Sequence, residues 1–470
     1  MLNHPTKSRK KLLVIVLMLL KNLIILFLSL LILSCSKQTA KYDLGISNVN
    51  LIDGTGSPIQ EGVSVYINKG KIVEINTLTT HQIENVIDGT GKYLIPGLFD
   101  CHVHTTSFQE DFPKLIHYGV TSVFVPGGST CTNDYYATLR SIGNQDSIPA
   151  PRVFHTSQHF TMEGRHPVKT YASSNWKEGE TVFFLKDTAQ IAEIVKEVAK
   201  YPILGIKLTI EDGPAPPFVE RMPQDFINKT VSEAAKYGLE VFAHVSDNEE
   251  FLMAVKGGAQ NIVHFVGIEI DWENDEHISA INKLLDREGS IVTTLMIDKS
   301  FIYPLNPEWL KTPSIIEAYP AVELKKLLTP QAIGRAQKMA ALTKLEYGLD
   351  EISMESLFLS KVEDIQRLLD LGMNITLGTD AGNSFNFHGY SLHEEMQILE
   401  MGGIAPRDII KMGTLNAARM MHVQDSLGSI EPGKLADLIL LNANPLASIS
   451  NCLDINTVIK NGVIQKRIDK

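Results

Sequence analysis

Apolar residues follow three successive rhythms along this chain. Over residues 12–33 they run almost unbroken, interrupted only by Lys21 and Asn22. Over 43–94 they come in short runs with turn residues between them, which predicts strands at 43–51, 62–67 and 71–75. Asp53-Gly54-Thr55-Gly56 and Asn68-Lys69-Gly70 supply the turns, the second of them tight enough for a hairpin. A further strand pair is expected across 86–94, folded about Gly89-Thr90-Gly91.

The third rhythm begins at Leu94. Apolar stretches at 120–125, 203–210, 240–245, 261–266 and 374–378 alternate with helical patterns at 190–200, 231–237, 249–256 and 362–371. In the first of these helices Ile191, Ile194, Val195 and Val198 share one face. Repeated βα units of this length imply a parallel sheet, and this many predict a closed (β/α)8 barrel. Residues 301–352 read as helical with no strand, an insertion between late barrel strands. Strands return at 437–441 and 457–464, with Lys460-Asn461-Gly462 as a turn. The expected fold is therefore α/β: a TIM barrel over 99–424, with a small β-sandwich domain assembled from both ends of the chain, 43–98 and 425–470.

The first rhythm belongs to a separate segment, residues 1–35. Lys7, Arg9, Lys10 and Lys11 precede the apolar run, which ends in Ile32-Leu33-Ser34-Cys35. This resembles a bacterial lipoprotein signal peptide, in which a small residue precedes the cysteine that is lipidated. The resemblance implies export and lipid anchoring at Cys35 in the cell envelope, in the periplasm or at the outer membrane. The other reading is an uncleaved membrane helix, since about 20 apolar residues span a bilayer. Both place the globular part outside the cytoplasm.

Charge sharpens the division. The chain holds 43 basic and 54 acidic residues, net −11; removing the leader's five basic residues takes the remainder to −16. An acidic globular part argues against a nucleic-acid partner. Four cysteines leave Cys101, Cys131 and Cys452 once Cys35 is set aside, an odd number that suggests no disulfide framework. Cys101 reads as a small buried apolar residue rather than a ligand.

Catalytic groups in such a barrel come from the C-terminal ends of its strands. His102 and His104 end one apolar run, and their i, i+2 spacing turns both imidazoles to the same side. Lys207 lies inside the apolar Leu204-Gly205-Ile206-Lys207-Leu208, where a charged amine is costly unless paired. His244, His264 and Asp380 each end a further predicted strand. Singly, each fits a hydrogen-bonded core residue or a lysine reaching solvent. Together, six such residues in barrel order point to a metal centre. His117, His155, His159, His388 and His393 are read as structural, with pocket-lining the minor alternative for His155 and His159 and contact with substrate equally open for His393.

Four motifs carry a family resemblance. Pro96-Gly97-Leu98-Phe99-Asp100-Cys101-His102-Val103-His104 resembles the opening PGLIDxHxH of the amidohydrolase superfamily, and Gly378-Thr379-Asp380-Ala381-Gly382 resembles its closing strand. Leu415-Asn416-Ala417-Ala418-Arg419 is similar to its NAAR helix, and 427–438 to its G-x-I-x-x-G-K-x-A-D-L return to the β-domain. The likeness runs from Asp43 to the C-terminus and is greatest to the imidazolonepropionase-like and prolidase-like branch. It implies a metal-dependent hydrolase with two divalent ions, zinc by expectation. His102 and His104 would hold the first ion, His244 and His264 the second. Lys207 would be carbamylated to bridge them. Asp380 would bind metal and serve as general base towards a shared hydroxide. Glu163-Gly164-Arg165-His166 stands where the branch often has Gly-Gly-His, which makes His166 the candidate for stabilising the oxyanion.

The expected reaction is hydrolysis of a C–N bond in a small substrate such as a dipeptide or N-acyl amino acid. A lactonase, a phosphoesterase or a mononuclear deaminase of the same fold is the alternative, and a solute-binding lipoprotein is the non-enzymatic one. Metal count separates the deaminase from the binuclear enzyme, and decay of the ligand set would mark the binding protein. Association of the chain with copies of itself is left open.

Overall fold

The computed structural model describes residues 14, 16–21, 41–77, 82–214, 217–348 and 351–468. Cys35 lies outside the described residues. Among those described, no helix is long and apolar enough to cross a membrane.

The N-terminal part of the globular chain is a sheet centred on β1 (Lys41–Leu51), with β2 (Gln60–Asn68) and β3 (Lys71–Asn76) antiparallel on one side. The strand pair expected across 86–94 does not form. Instead β4 (Gln82–Asp88) and β5 (Tyr93–Pro96) both run parallel to β1, in tandem along its length. Eleven residues of β1 offer enough edge for both, and the turn between them is tied to that edge by Gly89 N–H to Ser47 O and Asn50 N–H to Lys92 O.

The barrel follows. Its first staves are β6 (Leu98–Asp100), β7 (Val120–Val125) and β8 (Arg152–His155), all parallel. After a break at Thr156-Ser157-Gln158 come β9 (His159–Thr161) and β10 (Val182–Phe184), the latter pairing outward on β9. The parallel series continues through β11 (Gly205–Thr209), β12 (Glu240–His244), β13 (Asn261–Ile262), β14 (Ser290–Val292) and β15 (Asn374–Thr376). β8 and β9 act as one broken stave, joined to β11 by Leu204 N–H to His155 O and Ser157 N–H to Gly205 O. First and last staves meet through Cys101 N–H to Leu377 O and Asp380 N–H to His102 O. Eight staves thus close an α/β TIM barrel with a second domain beside it, the architecture expected from the alternating pattern.

Except for β7, which spans 120–125 as expected, the barrel strands are shorter than the apolar runs that predicted them. A barrel strand hands over to a loop as soon as its backbone bonds are spent, while the apolar side chains continue into that loop. The helix expected at 190–200 shortens to Ile191–Val198, whereas two others begin earlier than their patterns: 231–237 overlaps only the end of Gln224–Ala235, and 362–371 only the second half of Met354–Asp370. Their first turns carry polar residues that hide the period. The stretch 301–352 is helical with no strand among its described residues, as expected.

Strands β16 (Leu438–Leu441), β17 (Ile455–Lys460) and β18 (Val463–Ile464) return the chain to the first sheet, giving the order β18-β17-β16-β5-β1-β2-β3. Asn461-Gly462 makes the β17–β18 turn, both residues with positive φ. Val63, Val65, Ile67, Leu438, Leu440 and Ile459 form the apolar centre of this sheet. Arg152 grips Asp437 with two nitrogens, at 3.0 and 3.3 Å, and so ties β8 of the barrel to the segment entering β16. Phe99, Cys101, Phe124, Phe242 and Val263 pack with the helix Ala417–Met420 in one buried apolar cluster. Cys101 belongs to this packing, and burial pushes its thiol well up.

Candidate metal centre

The barrel brings the six expected ligand-type residues to one end of its lumen. His102 and His104 follow β6, on a backbone clasped by the last stave: Asp380 N–H donates to His102 O at 2.8 Å and His104 N–H to Ala381 O at 2.7 Å. Gly378 and Gly382 permit this approach. A Cβ at Gly378 would lie 3.2 Å from His102 Cβ, and one at Gly382 only 2.1 Å from His104 O. Asp100, fully buried, accepts from His102 N–H, Thr379 N–H and Thr379 Oγ1–H, at 3.2, 3.0 and 2.7 Å. Burial pushes its carboxyl up to about 7 against those hydrogen bonds.

Asp380 sits at φ +62°, the left-handed region that L residues seldom occupy. Such strain concentrates at functional positions. Its Oδ1 lies 2.9 Å from His104 Nε2 and 3.5 Å from His102 Nε2, without the alignment of a hydrogen bond. His104 keeps a quarter of its side chain exposed and marks the open side of the centre.

On the far wall, Lys207 is wholly buried in β11, and its amine has no hydrogen-bond partner among the described residues. Burial pulls the amine down to about 7, and the negative charges of Asp380 and Glu211 only partly offset it. His244 ends β12, and His264 follows β13 by two residues. Nδ1 of His244 and Nε2 of His264 face each other at 2.8 Å. The rings of His102 and His264 are 4.4 Å apart, as are those of His244 and His264. Burial first, then the charges of Lys207 and of neighbouring histidines, hold His102, His244 and His264 well below the usual histidine range, so these rings are neutral donors of lone pairs.

His166 is also here. Its ring stacks on His244 at 5.1 Å, Nδ1 lies 2.7 Å from Thr170 Oγ1, and Nε2 is 3.9 Å from Glu211 Oε2. Two sets have ligand atoms close enough to gather round one ion: His102, His104 and Asp380, and separately His166, Glu211 and His244. Three inward atoms, His102 Nε2, Lys207 Nζ and Asp380 Oδ1, have no hydrogen-bond partner among the described residues, and a bound cation would satisfy them. The donor set, neutral imidazoles with a carboxylate, suits a divalent cation.

Sequence reasoning missed Glu211 and undervalued His159 and Asp100. Glu211 ends the run Thr209-Ile210-Glu211 and is 5% exposed; an acid closing an apolar strand was the available signal. His159, read as structural, is buried beside Lys207 through the β9–β11 pairing, with Nδ1 2.9 Å from Thr209 Oγ1. The other histidines serve the framework. His155 stacks on Tyr136, His388 Nε2–H donates to His104 O at 2.9 Å, and His393 Nε2–H donates to Tyr118 O at 2.8 Å.

The profile of the amidohydrolase family matches residues 328–464. Over 419 residues the chain is 23% identical to the 5′-deoxyadenosine deaminase of Methanothermobacter thermautotrophicus, covering 84% of each. It is 24% identical over 452 residues to the ochratoxinase of Aspergillus niger, covering 85% of this chain and 81% of that one. The crystal structure of a Xaa-Pro dipeptidase with methionine bound in its active site shares the fold. It aligns with a TM-score of 0.67 at 22% identity, over 90% of this chain and 99% of the other.

Proposed function

We propose that the chain is a hydrolase of the amidohydrolase superfamily acting on carbon–nitrogen bonds, and that it cleaves the amide of a dipeptide or N-acyl amino acid at a binuclear centre. His102 and His104 hold one divalent cation, His244 and His264 the other, with Lys207, as its carbamate, and Asp380 completing the set. One observation carries this reading: a wholly buried lysine amine with no hydrogen-bond partner among the described residues, facing a cage of neutral imidazoles. As an ammonium it would repel any cation placed there, whereas as a carbamate it offers two anionic oxygens.

When bound, the two ions, zinc by preference, supply water activation near neutral pH and polarisation of the scissile carbonyl. The protein's own groups do the rest. Asp380 reaches into the centre from a backbone fixed to His102, and it accepts the proton of the attacking water and returns it to the departing nitrogen. His166, whose Nε2 lies 3.9 Å from Glu211 Oε2 beside His244, is assigned as donor to the oxygen on which charge develops. The dipeptidase of the same fold supports a peptide-like substrate. A mononuclear deaminase is the second reading, favoured by the deaminase among the relatives, and it has no use for Lys207.

Protein lacking the leader, prepared with zinc and bicarbonate, should hold close to two metals per chain by elemental analysis. It should lose dipeptide or N-acyl amino acid hydrolysis on chelation. About one metal per chain, with release of ammonia from aminopurines, would sink the binuclear amidase. We extend the proposal to location: the basic and then apolar leader ending at Cys35 fits export and lipid anchoring. Cells expressing Cys35→Ala should release the enzyme from the membrane fraction. Retention there would favour an uncleaved helix.

A further inference from the structure

Each histidine of the centre ties one ring nitrogen to the framework and turns the other inward. Nδ1 of His102 meets Val263 O at 3.0 Å, and Nδ1 of His104 meets Gly127 O at 2.9 Å. A carbonyl can only accept, so both rings carry the proton on Nδ1 and present Nε2. His264 follows the same pattern, with Nδ1 3.1 Å from Thr294 Oγ1. Thr294 is held at φ +47°, an unusual conformation for a β-branched residue, in the same segment whose Leu295 and Met296 N–H groups donate to Glu395.

His244 is turned the other way. Its Nδ1 is the atom facing His264 Nε2, so Nδ1 points inward and Nε2 outward. What meets that outward nitrogen is the carboxylate of Glu211, buried two residues beyond β11. We propose that Glu211 is the positioning residue of the second metal position: it accepts Nε2–H of His244 and thereby fixes the tautomer whose Nδ1 lone pair faces the cation. The inference rests on the reading above, in which His244 and His264 share that cation.

The physical reason is specific to this ring. A neutral imidazole has one proton for two nitrogens, and the partner of the outer nitrogen decides where it stays. With no acceptor outside, His244 is free to place its proton on Nδ1 and donate it to His264 Nε2, which would occupy both lone pairs the second cation needs. Glu211 removes that option. A carboxylate behind a ligating histidine also makes the ring a stronger donor, and such partners typically govern metal affinity about 10–100-fold. In this conformation the two groups are in ion-pair contact and Nε2 has no aligned hydrogen bond. A cation on Nδ1 leaves the proton on Nε2, where this acceptor stands ready.

The rival role for Glu211 is direct ligation, together with Nε2 of His166 and of His244. The two nitrogens of an imidazole point in nearly opposite directions, so that ion would be a different one from the ion shared with His264. The roles separate by substitution. Metal content after dialysis, and the visible spectrum of the cobalt-loaded protein, are to be read in the parent, Glu211→Gln, Glu211→Ala and His166→Ala. Glutamine keeps an acceptor oxygen but no charge. Two metals are expected in the parent, in Glu211→Gln and in His166→Ala, against about one in Glu211→Ala, with cobalt bands of the second position lost only there. If Glu211→Ala does not fold, Glu211→Leu, similar in volume and without an acceptor, replaces it. Two metals in that variant would overturn the proposal, as would loss of the second metal in Glu211→Gln or His166→Ala. One metal in the parent would bring down the binuclear reading first, and this inference with it.

Discussion

Lys207→Ala is expected to leave a folded barrel that holds about one metal and has lost nearly all activity. The amine removed is one the fold has no structural use for, because Nζ makes no hydrogen bond among the described residues and is fully buried. Keeping a charge in such a place is expensive. Burial brings the amine down to about 7, so near neutral pH a large share of it is uncharged and nucleophilic. In the proposed reading the neutral nitrogen attacks the carbon of CO₂, an N–C bond forms, the nitrogen gives up a proton, and an anionic carbamate remains. That group would supply the negative charge a second cation needs beside the neutral His244 and His264. Its loss should weaken the second position by more than the roughly 100-fold typical of an outer partner. Lys207→Arg should not rescue, since a guanidinium stays protonated and cannot be carboxylated. Growth on ¹³C-bicarbonate should give a carbamate resonance in the parent that is absent from Lys207→Ala. Two metals and unchanged turnover in Lys207→Ala would remove Lys207 from the centre.

The legibility of this site follows from how locally each part is encoded. His102 and His104 were readable because a two-residue spacing on an extended backbone turns both rings one way whatever the rest of the chain does. Lys207 stood out as a charge within an apolar strand. Asp380 was readable from its motif, but its positive φ was not, since that conformation is imposed by the backbone bond to His102 in a stave far away in sequence. The third and seventh staves escaped notice. β14 is only three residues long and runs into Thr293-Thr294, and β8 and β9 are parted by Thr156-Ser157-Gln158. The tandem pairing of β4 and β5 on β1 is likewise non-local. Glu211 was visible as a residue, but its role depends on which nitrogen of His244 faces outward, a fact that exists only once β11 and β12 lie side by side. The helical period of 190–200 needed no such context, because the whole signal lies on one face.

Asp380→Asn isolates the proton-transfer step. Asparagine matches aspartate in shape and tolerates the left-handed backbone that position demands. The bond from residue 380 N–H to His102 O should therefore survive, and with it the closure of the barrel. What is lost is a carboxylate able to take a proton. Its Oδ1 now points at His104 and His102 Nε2 with no aligned hydrogen bond, a geometry that suits metal contact and proton transfer and serves no structural purpose. General base catalysis is worth about 10²–10⁴-fold, so kcat should fall by that factor while KM changes little. The metals, still held by four histidines and the carbamate, should stay above one per chain. Near-parental kcat would move the proton-accepting role away from Asp380. A fall in metal content to the level of Lys207→Ala would show that Asp380 acts chiefly as a ligand.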